Sequence, residues 1–547
     1  MSGEGAESLR SRAEAVMGGP EPLDLLSALV SLAPTNLEDP PHGRYEKPHY
    51  TAAIDRILRE ARAAGFSTRI YDPTADPRFE GHLPGGPRPN GIIDLDRGAG
   101  RTALILAHYD VVPVPEEQRP RWKTPPFTLT ARPDGRLYGR GANDDLGSGV
   151  VTSLTAMRRL AGDPDLSVNV RLLVCCDEET GGEGGIEAIR AHDARLPPDD
   201  PDRILRADVA LIPDASPHTI AGSSGVAFLD ATAEQAMPLG DALRYGERLV
   251  SLHDLARRWR SSLRSDDWPD HGAPEPVITG RATVTRMELE ADSASPPGPS
   301  ATARLVLAHT ETDAANQIAR TVTLAFEGPG LSLEELRRRL AVGVPPPFRV
   351  EAAGATGARI PPGAVAIAVV GEGGHGGSPH RARNPVPVAI AALRRAIAEG
   401  WLSVGQPTRP AFVVDLRIPP EQELDPSLRE VFDALAPWLA SELPAARVVA
   451  PPGRCRPGYF LPETHPMVRR LARTMEEVFH EPGIFGEYGG TDASSLRGLR
   501  TPSGEPLPAL VFGSMDRDSR IHDAEESIDP MRFAGVVEVL RRFLRGL

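Results

Sequence analysis

Thr102-Ala-Leu-Ile-Leu-Ala-His-Tyr-Asp110 is the stretch on which the fold turns. Its apolar run reads as a buried strand, and the strand delivers His108 and Asp110 at its end. The pattern recurs along the chain. Val170-Arg-Leu-Leu-Val-Cys-Cys176 runs into Asp177-Glu178-Glu179, and Asp208-Val-Ala-Leu-Ile212 runs into Pro213-Asp214. Pro508-Ala-Leu-Val-Phe512 leads within ten residues to His522. In an open α/β sheet, ligands bind beyond the carboxyl ends of the strands. Apolar strands that end in His, Glu, Asp and His therefore predict one convergent metal centre.

A further acidic residue belongs with these. Gly139-Arg-Gly-Ala-Asn-Asp-Asp-Leu-Gly147 is a glycine-rich turn, and Ser148 through Leu160 follows with apolar residues at helical spacing. Asp144 is expected at the helix entrance, where taken alone it reads as an ordinary N-cap. Other residues also have plain readings. A lone His at a strand end is commonly a hydrogen-bonded surface residue, and His218, His253, His380 and His465 are left as such. An Asp-Glu-Glu triplet alone is a solvated turn. Cys175 and Cys176, inside an apolar strand, read as small buried hydrophobes.

Together the motifs resemble a known family. His108-Tyr-Asp-Val-Val-Pro113, Trp122 through Pro126-Phe127 and Gly139-Arg-Gly-Ala-Asn-Asp-Asp145 match its pattern, as do Asp177-Glu-Glu-Thr-Gly-Gly182, Gly489-Gly-Thr-Asp-Ala493 and His522-Asp-Ala-Glu-Glu526. The family is that of the cocatalytic di-zinc peptidases, with acetylornithine deacetylase, succinyl-diaminopimelate desuccinylase, aminoacylase, glutamate carboxypeptidase and the cytosolic dipeptidases. Phe460-Leu-Pro-Glu-Thr-His-Pro-Met467 is most similar to its bacterial dipeptidase branch.

The resemblance implies two Zn²⁺ per chain, with Mn²⁺ or Co²⁺ as substitutes, bridged by Asp144. One metal would also take His108 and Asp214, the other Glu179 and His522, and a mixed imidazole–carboxylate set suits zinc. Asp110 would orient His108 from outside the ligand shell. Glu178 and Glu179 are expected as neighbours on an extended segment, with side chains on opposite faces. The resemblance assigns Glu179 to metal and Glu178 to the general base. Gly373-Gly-His-Gly-Gly-Ser-Pro379 resembles the family motif whose histidine, here His375, stabilises an oxyanion. Asn384, Gly490 and Thr491 are expected near substrate, and Arg417 in Asp415-Leu-Arg-Ile-Pro419 is expected to read its carboxylate. Two positions depart from the family: Leu146 stands where Lys is usual, and Ser494 where Arg is usual.

The whole chain sets bounds on these readings. At 547 residues it has room for two or three domains. Apolar content of 40% and charged content of 25% are those of a globular protein. A net charge of −14 argues against nucleic acid as a partner. Three cysteines without paired spacing imply no disulfide framework, no apolar h-region opens the chain, and no stretch approaches a membrane span. The expectation is a cytoplasmic protein, monomer or homodimer.

Pro22 to Leu32 and Tyr50 to Gly65 read as amphipathic helices, and Gly81 to Asn90 as a loop. Strands and helices then alternate up to about Asp214, which predicts α/β topology. From about Ser223 to about Pro452 the pattern changes. Helices are expected over Leu249–Leu263 and Ser332–Leu340, and strands over Ala301–Ala308, Thr321–Phe326, Ala364–Val370 and Ala411–Leu416. Ser295–Pro299 and Val344–Pro347 are expected loops, and Pro530–Leu544 a final helix.

His522 must return to meet His108, so whatever lies between folds separately. The predicted fold is an α/β catalytic domain with a mixed sheet, in two parts, 1–222 and 454–547. A smaller α/β lid or dimerisation-type domain, 223–453, interrupts it and is longer than the family's usual insert.

The expected reaction is metal-assisted hydrolysis of the amide bond of a small peptide, a dipeptide foremost. Within the family, Asp rather than Glu at the position of Asp214 goes with aminopeptidase-like and dipeptidase members. Deacylation or desuccinylation of an N-acyl amino acid is the alternative. A catalytically silent metal-binding protein is the alternative from another class.

Overall fold

The computed structural model describes residues 3–35, 49–81, 83, 86–114, 118–266, 276–292, 302–310, 317–353, 360–375 and 382–547. It is a mixed α/β fold in two compact units: Met1–Gly222 with Tyr459–Gly486 and Thr491–Leu547, and Ser223–Gly458 with Glu487–Gly490.

Among the described residues the first unit holds a nine-stranded sheet. From one edge its strands run Ser67–Tyr71, Asn90–Leu95, Asn169–Cys175, Thr102–His108, Val209–Ile212, Ala509–Val511, Thr219–Ser223 and Tyr459–Phe460, and Ile484–Glu487 pairs with Thr219–Ser223. The middle is parallel: Thr102–His108 lies between Asn169–Cys175 and Val209–Ile212, and Ala509–Val511 pairs parallel with Val209–Ile212. Leu104, Leu106, Leu173, Ala210, Ile212 and Val511 belong to one buried cluster. This explains why these strands read as continuous apolar runs: a parallel strand covered on both faces has no polar side. All four runs end at the same edge of the sheet, in line with the sequence reading.

Helices Pro20–Leu32, His49–Ala63 and Pro530–Arg545 form where helices were expected. The last opens on Asp529, whose side chain accepts from Met531 N, with Pro530 at the first helical position.

The second unit holds a ten-stranded sheet in the order Arg349–Ala352, Val365–Val370, Thr321–Glu327, Arg304–Thr310, Arg281–Ala291, Pro407–Ile418, Gly225–Ala233 and Ala446–Val449, with two short strands off this path. Neighbours along that order pair antiparallel. Helices Leu239–Val250 and Pro385–Ala398 pack on it through Leu239, Leu243, Leu249, Ile390 and Leu393.

Several expectations need correcting here. The helix expected over Leu249–Leu263 is helix Leu239–Val250, a short turn Leu252–Ala256 and then a strand, Arg260–Arg264. Leu239, Ala242, Leu243, Gly246 and Leu249 supply the helical stripe, whereas Ser261 and Leu263 are buried between exposed arginines, which is a period of two. The strand expected over Ala411–Leu416 extends to Pro407–Ile418, and that over Ala301–Ala308 is Arg304–Thr310, with Ala301 outside the described residues. Ser295–Pro299 also lies outside them. The chain returns to the first unit at Tyr459 rather than at residue 454, because Cys455–Arg456 still pairs with Gly225–Ala233. Glu487–Gly490 likewise groups with the second unit.

Candidate metal centre

His108 is the last residue of its strand and is buried. Its Nδ1 lies 3.2 Å from the backbone oxygen of Asp110 and 3.5 Å from Asp110 Oδ1. Its Nε2 lies 3.5 Å from Asp214 Oδ2. A proton held on Nδ1 by Asp110 would leave the lone pair of Nε2 available to a ligand on the side of Asp214. Asp110, wholly buried, has a second task. Its Oδ1 accepts from Glu178 N at 3.0 Å and its Oδ2 from Glu179 N at 3.2 Å. One carboxylate thus ties two strand ends together.

Glu178 and Glu179 do not lie on the extended segment expected of them. They open a single 3₁₀ turn, Glu178–Thr180, entered through Asp177 at φ 60° and left through Gly181 and Gly182 at φ 114° and 74°. The positive angles make the glycines necessary. Asp177 is no solvated residue either: it is buried, with Arg88 Nε at 2.6 Å and Tyr50 Oη at 3.0 Å. At three residues per turn, successive side chains diverge by about 120°. The two glutamates therefore still diverge, for a different reason. Glu179 Oε1 faces His522 Nε2 at 2.7 Å, and Glu178 stays partly exposed.

Asp144 does not act as an N-cap. Asn143 precedes the helix without a side-chain cap bond, and Asp144 begins a π-helical segment, Asp144–Val151, that continues as the α-helix Thr152–Ala161. The wider turn is set locally: Ser148 N donates to Asn143 O at 2.7 Å, and a Cβ on Gly147 would collide with the Ala142 carbonyl. The Asp144 carboxylate is thereby freed to meet His522 Nε2 at 2.7 Å and to contact Asp214. Leu146, in the place of the usual Lys, is fully buried, and Ser494 donates to Thr491 O at 2.9 Å. Both departures are absorbed in packing.

His522 sits on a loop at φ 63°, and buried polar contacts hold that loop. Arg140 Nη1 meets Glu526 Oε2 at 2.6 Å, both side chains essentially inaccessible. Arg140 Nη2 donates to Gln118 Oε1, and Gln118 Nε2 donates to the backbone oxygen of His522.

The electrostatics of the cluster call for a cation. Burial alone would lower the His522 pKa, but Glu179 and Asp144 raise it well above the ordinary value. Burial would raise Asp144, but the hydrogen bond and charge of His522 hold it far below the carboxylate range. Burial, together with Asp144, pushes Asp214 well up, and burial raises Glu179 against the pull of His522. Three carboxylates around two neutral imidazoles carry excess negative charge, which a bound cation would relieve. Among the described residues Asp214 Oδ1 also makes no hydrogen bond. Ligand atoms of Asp144, Glu179 and His522 lie within 4.8 Å of one another. This donor set fits a divalent metal, and the contact of Asp144 with both His522 and Asp214 fits a shared ligand.

The other expected residues are in different settings. His375 lies on a short strand, Gly374–His375, paired with Gln317–Ile318; its side chain, Gly376–Pro379 and His380 lie outside the described residues. Asn384 caps the helix Pro385–Ala398, accepting from Val386 N and donating to Val284 O. Arg417, expected to meet a substrate carboxylate, instead places its fork on Asp415 at 2.6 and 2.9 Å and its Nη1 on Tyr488 O at 3.2 Å. Thr491 caps the turn Asp492–Leu496, and a Cβ on Gly490 would meet only Val226 at 3.7 Å. Cys175 and Cys176 are buried, as expected. Sequence reasoning missed Arg140, Ser148 and Glu526, although all stand inside or beside quoted motifs; nothing in the sequence pairs them.

Among the described residues no helix is long and apolar enough to cross a membrane. The profile of peptidase family M20/M25/M40 matches residues 104–546. Succinyl-diaminopimelate desuccinylase of Acidovorax ebreus (strain TPSY) is 42% identical over 154 residues, 27% of this chain and 38% of that protein. The enzyme of the same name from Buchnera aphidicola subsp. Cinara cedri (strain Cc) is 37% identical over 93 residues, 17% of this chain and 24% of that protein. The chain thus spans well under half the length of these curated relatives. Human carnosine dipeptidase 1 shares the fold with a TM-score of 0.57, at 15% identity over 99% of each chain. The metallo-carboxypeptidase Sso-CP2 of Sulfolobus solfataricus shares it at 0.52, with 15% identity over 96% of this chain and 98% of that one.

Proposed function

As the chain belongs to peptidase family M20/M25/M40, we propose that it is a metal-dependent hydrolase of the amide bond in small peptides, dipeptides foremost. One observation carries the reading: Asp144 contacts both His522 and Asp214, so ligand-type groups from three separate segments form one cluster. In this reading His108, Asp144 and Asp214 would hold one Zn²⁺, and Asp144, Glu179 and His522 would hold the other. When bound, such ions lower the pKa of water and polarise a carbonyl.

The chain's own groups do the rest. Glu178, partly exposed and held by its N–H on Asp110, accepts the proton of the attacking water and passes it to the leaving amine nitrogen. Asp110 fixes both the ring of His108 and the turn that carries Glu178, so base and ligands keep their relative positions. His375 donates to the oxyanion, on the strength of its motif. The three unbridged cysteines support a reducing compartment, the cytoplasm.

The dipeptide preference rests on Asp214 and on the Phe460–Met467 resemblance. The local identity to desuccinylases supports a second reading, hydrolysis of N-succinyl or N-acyl amino acids. A panel of dipeptides, N-acetyl and N-succinyl amino acids, run on zinc-loaded protein, separates the two. The proposal predicts the highest kcat/KM on dipeptides. Turnover confined to N-acyl compounds would replace it with the second reading, and no turnover of any amide would remove the hydrolase.

A further inference from the structure

Ser148 stands four residues beyond Asp144 in the π-helical segment and is fully buried. Its hydroxyl donates to the carbonyl of Pro213 at 2.7 Å, the residue immediately before Asp214. The same oxygen accepts from Ser514 N at 3.2 Å, on the loop that follows strand Ala509–Val511 and leads to His522. Its own N–H closes the wide turn onto Asn143 O, and Asn143 Oδ1 accepts from Ser514 Oγ at 2.5 Å. One hydroxyl therefore joins the segment of Asp144, the turn of Asp214 and the loop after the last parallel strand. A serine hydroxyl offers one donor and accepts readily, and both capacities are used here. Another buried serine, on the adjoining helix, differs: Ser153 Oγ donates to Gly149 O, four residues back along the same continuous helical run, and ties no second segment to it.

We propose that Ser148 is a positioning residue that fixes Asp214 against Asp144, and so sets the affinity of the metal shared by His108, Asp144 and Asp214. The inference rests on the two-metal reading of the centre. Without the hydroxyl, the Pro213 carbonyl and Ser514 N–H lose their buried partner, and the Asp214 turn is no longer tied to the segment that bears Asp144. Loss of an outer-shell partner costs about 10–100-fold in metal affinity. The cost should fall on one metal and not the other.

The test is a zinc titration of the full-length, chelator-stripped protein against a chromophoric competitor, which resolves two binding phases. Ser148→Ala should weaken one phase by about 10–100-fold, Ser148→Cys by less, and Ser153→Ala should weaken neither. A double-mutant cycle assigns the phase. Combined with Asp214→Asn, Ser148→Ala should add little further loss, whereas combined with Glu179→Gln the losses should add. Equal weakening of both phases, an unchanged Ser148→Ala titration, or full additivity with Asp214→Asn would each overturn the inference. If Ser148→Ala does not fold, Ser148→Cys carries the same comparisons. Wild-type protein that binds no zinc would overturn the two-metal reading and this inference with it; wild-type binding with an unaffected serine variant would overturn the inference alone.

Discussion

The adjacent glutamates give the sharpest division of labour, because Gln replaces each without change of shape. In Glu178→Gln and Glu179→Gln the N–H groups that Asp110 accepts are untouched, so the turn is kept. Glu178 is partly exposed, and its loss should cost folding no more than about 0.5 kcal/mol. Its loss as general base should lower kcat by about 10²–10⁴, or ~3–5 kcal/mol of barrier. Glu179 Oε1 faces His522 Nε2 at 2.7 Å inside the cluster. Replacing it removes a buried charge from the ligand set, and metal affinity should drop by at least the roughly 10–100-fold that an outer partner is worth. The assay is metal content after dialysis, read beside kcat at saturating zinc. Glu178→Gln should keep its metal and lose turnover; Glu179→Gln should lose metal first and regain part of its activity with excess zinc. If Glu178→Gln sheds metal as readily as Glu179→Gln, or Glu179→Gln is inert while fully loaded, the assignment is wrong.

Chelation should convert the centre into a pH-sensitive weakness. Asp214 and Glu179 are raised carboxyls, and His522 is a raised imidazole, so the folded metal-free chain binds more protons than the unfolded one above the ordinary carboxyl and His pKa values of about 4 and 6.5. Its melting temperature should therefore fall as pH rises from about 5 to 8, while zinc-loaded protein should not follow it; a rise in the stripped protein would contradict the sign. Arg140→Met strands Glu526 in the interior and should destabilise the first unit by about 3–5 kcal/mol, read by urea unfolding; a loss below 1 kcal/mol would mean the pair does not hold the His522 loop. His375→Ala should lower kcat by roughly 10²–10³ with little change in KM or metal content, and near-normal kcat would remove it from the mechanism.

The strand-end placement of three metal-ligand candidates was legible before any coordinates, because a parallel strand buried on both faces writes itself as an apolar run and the residue at its end follows directly. His108, Glu179 and Asp214 could be read this way, and the helices Pro20–Leu32, His49–Ala63 and Pro530–Arg545 were legible from a stripe that is local. The exact backbone at the site could not. An Asp-Glu-Glu triplet looks the same whether it is extended or wound into a turn. Only the buried Asp177–Arg88 pair and the acceptor Asp110 decide for the turn, and Arg88 and Asp110 are distant from it in sequence. The π-form of Asp144–Val151 was hidden for the same reason, since helical spacing does not distinguish a bond to the fourth residue from one to the fifth. In the second unit, a fork-shaped guanidinium at Arg417 matched a carboxylate in principle, and the fold supplied Asp415 from the same strand.

Local chemistry, periodicity and motif order were determined by the sequence itself, since they depend on neighbours a few residues apart. Which carboxylate meets which imidazole, and which hydroxyl ties Asp214 to Asp144, was decided by tertiary structure alone. Those choices depend on satisfying buried polar groups brought together from opposite ends of the chain.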